Sequence, residues 1–183
     1  MHRRKLLNLL REYGDRYPEE AETTDRFVAF VKAHHRCFDR DLWAGHITGS
    51  AWIVDTDGTD VLLTHHKKLD IWVQLGGHSD SNPDTAVVAQ TEATEESGLA
   101  VRFVDTRIFD LDIHQIPARK NDPAHFHYDV RFAFMADERD YVVSSESNAL
   151  AWVGLSMLED YSQEASLLRM RRKWLSQTPW PNT

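Results

Sequence analysis

The stretch that decides the fold runs Leu75-Gly-Gly-His-Ser-Asp-Ser-Asn-Pro-Asp-Thr-Ala-Val-Val-Ala-Gln-Thr-Glu-Ala-Thr-Glu-Glu-Ser-Gly-Leu99. It reads as a strand end, a glycine-rich loop and a helix. Ser81 or Asn82 is placed to cap the helix, with Pro83 in its first turn, where a missing N–H costs nothing. Gly98 is placed to close it in the left-handed conformation. Glu92, Glu95 and Glu96 stand at i, i+3 and i+4, so three carboxylates share one helix face. Like charges in one patch repel, and a bound cation would account for them. Carboxylate oxygens suit a hard ion such as Mg²⁺ or Mn²⁺. The plainer alternative is an acidic, solvated helix face.

The stretch resembles the Nudix box, G-x5-E-x7-R-E-U-x-E-E-x-G-U, where U is a bulky apolar residue. Gly77 takes the first position, and Glu92, Ala93, Glu95, Glu96, Gly98 and Leu99 take the last part. Two positions depart: Pro83 stands where the pattern has Glu, and Thr91 where it has Arg. Those two side chains tend to pair in the family and brace the loop against the helix. Losing both leaves no orphan charge, and Asp84 is placed to replace part of the missing Glu. The resemblance implies an α/β fold, an α/β/α sandwich around a mixed sheet. It also implies a metal-dependent hydrolase that cleaves a diphosphate linkage in a nucleoside diphosphate derivative. Divalent ions would be held by Glu92, Glu95 and Glu96 with the Gly76 carbonyl. The catalytic set would be Glu92, Glu96 and Glu146, with Glu92 or Glu146 as general base. The competing reading is a Nudix module that binds a nucleotide or metabolite without turnover.

The chain has 183 residues, 42% hydrophobic and 27% charged, enough for one soluble globular domain with a real core. A net charge of −8 argues against nonspecific nucleic-acid binding, so an anionic substrate needs a cation to approach. The one cysteine, Cys37, excludes an internal disulfide and fits a cytoplasmic setting. It reads as a packed thiol. The apolar run after the basic start, broken by Asn8 and ended by Arg11, is too short for a signal peptide or a membrane span.

The pattern predicts a helical hairpin over residues 1–40, with a linker from Asp15 to Glu22 and a second helix capped by Thr24 or Asp25. Three roles are open to it: covering the sheet, walling the substrate site, or forming a homodimer interface. The main domain spans 41–176, and 177–183 is expected to be a loose tail. Strands are expected over His46–Val54, Val61–His66, Ile71–Leu75, Val101–Val104, Arg107–Ile113, His125–Met135 and Ala149–Val153. Two helices follow, within Leu155–Tyr161 and Gln163–Leu175.

Residues 124–134 alternate. Ala124, Phe126, Tyr128, Val130, Phe132 and Phe134 face one way, and His125, His127, Asp129 and Arg131 the other. An exposed strand face is the bland reading. A second, weaker resemblance, to isopentenyl diphosphate isomerases, rests on His46 before an apolar strand, on Gly76-Gly77-His78, and on His127 and Asp129. It implies that His46, His78, His127 and Asp129 hold one Zn²⁺, Mn²⁺ or Fe²⁺, with Asp80 and His125 in reserve. One ion can join His46 and His127 only if their rings stand within about 8 Å, since Zn–N bonds are about 2 Å long. Isomerisation itself fits poorly, because the cysteine it needs is Gly76. A hydrolase centred on this His/Asp site is a further alternative. Arg131, Lys67 and Arg119 are the candidates to neutralise a diphosphate, with Lys68 and Lys120 read as solvated. Trp52, Trp72, Phe126, Tyr128 and Trp152 are candidates to stack on a base, though most read as core.

Overall fold

A computed structural model of the chain describes residues 2–119 and 122–177. Lys120, Asn121 and the expected tail from residue 178 on lie outside the described residues. Two helices, α1 (Arg4–Arg16) and α2 (Ala21–Ala33), open the chain. The expected linker shrinks to a 3-10 turn at Pro18–Glu20, and α2 begins at Ala21, so neither Thr24 nor Asp25 caps it. Proline at the start of the turn sets its φ, and Thr24 instead returns its hydroxyl to the Glu20 carbonyl.

Strands β1 (His46–Val54) and β2 (Asp60–His66) form the expected hairpin. The next strand is broken in two. β3 (Ile71–Val73) pairs with the end of β2, whereas β4 (Leu75–His78) crosses to pair with β1, Gly76 opposite Ser50 and Gly77 opposite Gly49. Helix α3 (Thr85–Ser97) follows, then β5 (Val101–Phe103), β6 (Asp110–Ile116), β7 (His125–Ala136) and β8 (Ser147–Gly154). β6 starts three residues later than its apolar pattern predicts, because Ile108 and Phe109 enter the core before pairing with β7 begins at Asp110. A short α4 (Leu158–Tyr161) and α5 (Ala165–Ser176) end the described chain.

The centre of the mixed sheet is a parallel pair, β1 beside β7, with His46 opposite His127 and Ser50 opposite Arg131. All other strand pairings among the described residues are antiparallel. Alternation along β1 divides its side chains between two cores. Ile47, Ala51 and Ile53 meet Leu6, Leu10, Phe27, Val31 and Ala89, from α1, α2 and α3. Trp52 and Val54 meet Leu158, Leu167, Met170 and Trp174, from α4 and α5. This is the expected α/β sandwich, with the N-terminal helix pair inside its first core. Cys37 is fully buried there, and burial pushes its thiol up to about 11, as a packed group. Among the described residues no helix is long and apolar enough to cross a membrane.

Candidate active site

Helix α3 lies across β1 and β4 and buries Ala86, Val88, Ala89 and Ala93. Small residues there let the helix sit close to the sheet. Glu92 and Glu96 project on the side facing β4, and Glu95 projects to solvent. Glu96 is only 9% exposed. A Cβ on Gly77 would stand 2.4 Å from the Glu92 carboxyl carbon, so only glycine admits that carboxylate against the strand. Gly98 closes the helix at φ +72°, its N–H donating to the Thr94 carbonyl. The start differs from expectation. Asp84 holds the capping position without a side-chain cap, Asn82 accepts from the Asp84 N–H, and Pro83 lies before the first turn.

Glu146 reaches the same patch from the loop before β8, which is tied to β2 by the Lys67 N–H donating to the Glu146 carbonyl (3.1 Å). Burial, then Glu95, Glu146 and Asp80, push Glu92 up to about 7 against the pull of Arg40. Burial, Glu92 and Glu146 push Glu96 up to about 8, while the Gly76 backbone pulls it down. Among the described residues, no cation lies within ion-pairing distance of Glu92, Glu95, Glu96 or Glu146. Lys67 and Arg119 are exposed beside the Glu146 loop, Arg119 donating to the Lys68 carbonyl at 3.2 Å.

The loop from β4 to α3 is braced from a direction the sequence did not suggest. Arg40 forms a two-pronged ion pair with Asp80 (2.5 and 2.6 Å), and the Ser81 hydroxyl donates to Asp39 (2.7 Å). Asp80 and Ser81 both adopt positive φ, +45° and +69°, and these contacts hold them there. Asp84 pairs with Lys5 at 2.6 Å instead of bracing the helix from within the box. The N-terminal region thus does what Pro83 and Thr91 cannot. Nothing in the charged run 36–41 signals its partner.

The polar face of β7 is not solvated. His125, Asp129 and Arg131 are buried. Asp129 is saturated: Thr48 and Ser50 donate to one oxygen (2.8 and 2.7 Å), and Arg131 and Gln74 to the other (2.7 and 3.3 Å). It is therefore no free metal ligand. Arg131, at 2% exposure, is held by Asp129, Asp110 and Asp112, so it cannot meet a diphosphate. Arg169 and Lys173 of α5 complete this cluster, each pairing with Asp110. Burial works to raise the Asp110 carboxyl, and Arg169, Arg131 and Lys173 overcome it and hold it low. The alternation Asp110-Leu-Asp-Ile-His114 was the available signal for this second polar strand. Of the aromatic candidates, Trp52 is fully buried, Tyr128 stacks on Phe30, and Trp152 lies under the Arg139 guanidinium. Phe126 is exposed.

Above Asp129 the same face carries histidines. The rings of His46 and His127 stand 4.8 Å apart, inside the expected limit, and His78 lies 5.1 and 5.2 Å from them. Burial and the neighbouring rings push His46 down to about 4 and His127 to about 2, so both are neutral at pH 7. His125 joins this group in the place expected for Asp129.

No family model matches the sequence, and no curated protein does. Solved structures do. A NUDIX-family hydrolase from Clostridium perfringens is 24% identical, with a TM-score of 0.53 over 72% of this chain and 97% of that one. The C. elegans Ap4A hydrolase is 16% identical, with a TM-score of 0.52 over 71% and 95%. The chain has the Nudix fold. The E. coli dihydroneopterin triphosphate pyrophosphohydrolase is similar at 14% identity and a TM-score of 0.50, over 72% and 93%. In this fold, Glu92 and Glu96 face β4 from helix α3, while Glu95, on the same helix, points to solvent. The resemblance to isopentenyl diphosphate isomerases finds no support in these comparisons.

Proposed function

We propose that the chain is a Nudix-type hydrolase that cleaves a diphosphate linkage in a nucleoside diphosphate derivative. The observation that carries this reading is the uncompensated carboxylate patch of Glu92, Glu95, Glu96 and Glu146 around the Gly76–Gly77 backbone. An all-oxygen donor set, with Glu92 and Glu96 pushed up, fits a hard divalent cation, Mg²⁺ or Mn²⁺. Glu92, Glu95, Glu96 and the Gly76 carbonyl would hold it. Bound there, such an ion neutralises the diphosphate and lowers the pKa of a water molecule. The chain's own residues do the rest. Lys67 and Arg119, exposed beside the Glu146 loop, meet the substrate's negative charge. A carboxylate not engaged by the ion, Glu92 or Glu146, takes the proton from the attacking water. The names of the similar structures, an Ap4A hydrolase and a pyrophosphohydrolase, support the same reaction class. The single buried Cys37 supports a cytoplasmic setting.

The test is product release from a panel of ADP-ribose, nucleotide sugars, dinucleoside polyphosphates, NADH and nucleoside triphosphates, with Mg²⁺ or Mn²⁺. Glu96→Gln is expected to lower kcat by at least ~100-fold, the scale on which a positioned catalytic group acts. Comparing Glu92→Gln with Glu146→Gln then separates the base from the ligand. Full activity in Glu96→Gln rejects the reading, and tight ligand binding without turnover in the wild type replaces it with a binding module.

A further inference from the structure

The histidines on the α5 side of β1 and β7 form a group that the hydrolase reading does not use. Parallel pairing sets His46 directly beside His127. His125, two residues earlier on β7, faces the same way, its ring 4.9 Å from His46 and 5.3 Å from His127. One ligating nitrogen from each of the three lies within 4.8 Å of the other two.

Two observations set this group apart from histidines that only fill space. First, His46 is 1% exposed, yet neither of its ring nitrogens has a hydrogen-bond partner among the described residues, and Nε2 of His127 is buried in the same condition. The Leu42 carbonyl approaches the His46 ring but not in hydrogen-bond geometry. Buried polar atoms without partners are uncommon, since each forfeits its bonds to water. Second, Nδ1 of His125 lies 2.8 Å from the Pro123 carbonyl. A carbonyl only accepts, so Nδ1 carries the proton and Nε2 presents its lone pair. Ligating histidines are oriented in this way by an outer carbonyl or carboxylate. His114, 5.4 Å from His127, makes the matching contact to the Asp112 carboxylate at 3.0 Å.

We propose that His46, His125 and His127 bind one borderline divalent cation of the Zn²⁺ type. Imidazole nitrogens suit Zn²⁺, whereas Mg²⁺ takes oxygen, so the chain sorts two cations into two sites by donor type. Nitrogens on one tetrahedral Zn²⁺ stand about 3.4 Å apart, so no pair of nitrogens within 4.8 Å needs to close by more than about 1.4 Å on binding. Three protein ligands leave a fourth position for water or a ligand oxygen, and His78 borders it.

The full-length protein, stripped with a chelator, would be titrated with Co²⁺ and, separately, loaded with one equivalent of Zn²⁺ for X-ray absorption. The expected results are the visible bands of tetrahedral cobalt at one equivalent, and a zinc first shell of nitrogen with imidazole outer scattering. His127→Gln is expected to weaken binding by more than the ~10–100-fold that an outer-shell change costs. Glu96→Gln is expected to leave the spectrum intact. An oxygen-only zinc shell in the wild type overturns the proposal without recourse to any variant. So does absence of binding, or a cobalt spectrum lost in Glu96→Gln and kept in His127→Gln. None of these readouts depends on hydrolysis.

Discussion

Two groups of carboxylates sit on opposite faces of one sheet, and they are built on opposite principles. Around Arg131 every carboxylate has a cation: Asp110 meets Arg131, Arg169 and Lys173 at 2.7 to 3.2 Å, Asp112 meets Arg131 and Arg169, and Asp129 meets Arg131. Around Gly77, among the described residues, no cation pairs with Glu92, Glu95, Glu96 or Glu146. The first group holds its carboxyls low, as Asp110 and Asp112 show; the second pushes Glu92 and Glu96 up. A chain that pairs its buried charges so thoroughly in one place has the means to do so in the other. The unpaired patch is the feature on which the proposed cation site rests.

The contrast can be broken by experiment. Removing a charge from the paired group must destabilise: Arg131→Met is expected to cost about 3–5 kcal/mol in chemical unfolding, because it takes the cation from buried Asp129 and one cation each from Asp110 and Asp112. Removing one from the unpaired patch must do the reverse. Without divalent ions, Glu96→Gln is expected to melt above the wild type at pH 8, although it loses activity. Both variants melting lower would end the distinction. The pH dependence sharpens it. Glu92 and Glu96 titrate near 7 and 8 when folded, above the ordinary 4.5. The folded state then binds more protons across that window, so metal-free stability is highest below about pH 4.5 for these groups and falls as pH rises to 8. Saturating Mg²⁺ is expected to reverse that slope and Glu96→Gln to flatten it, both seen in thermal melts across pH. The smallest effect is Glu95→Gln. That residue is exposed and acts on Glu92 by charge alone, so an NMR titration is expected to show the Glu92 carboxyl moving down with little change in melting.

The box was legible because its signals are local. Helical spacing alone puts Glu92, Glu95 and Glu96 on one face, and a glycine closing the helix needs no distant partner. Alternation also told truly which residues of β7 share a face. It could not tell what lies opposite. Arg131 looked available to a substrate because its partner Asp110 stands 21 residues away, and Asp110 in turn draws Arg169 and Lys173 from 59 and 63 residues away. The histidine group was half legible for the same reason. His46, His78 and His127 were named together, but only the parallel register of β1 and β7 puts His125 beside His46 and leaves Asp129 among hydroxyls. The Arg40–Asp80 brace, 40 residues long, gave no sign at all.

Lys173 carries a last consequence. Its ammonium donates to the Tyr13 hydroxyl and pairs with Glu20 and Asp110, closing a contact across 160 residues. Tyr13 leaves the ribosome roughly 8–30 s before Lys173 can reach it, at a synthesis rate of about 5–20 residues per second. For nearly all of that interval Asp110 lacks two of its three cations, Arg169 and Lys173, and the helical pair at the start of the chain lacks its Lys173 tie to α5. The sandwich is fastened last, from its far end, and a nascent chain stalled before α5 would hold an unfinished bundle of charges at its centre.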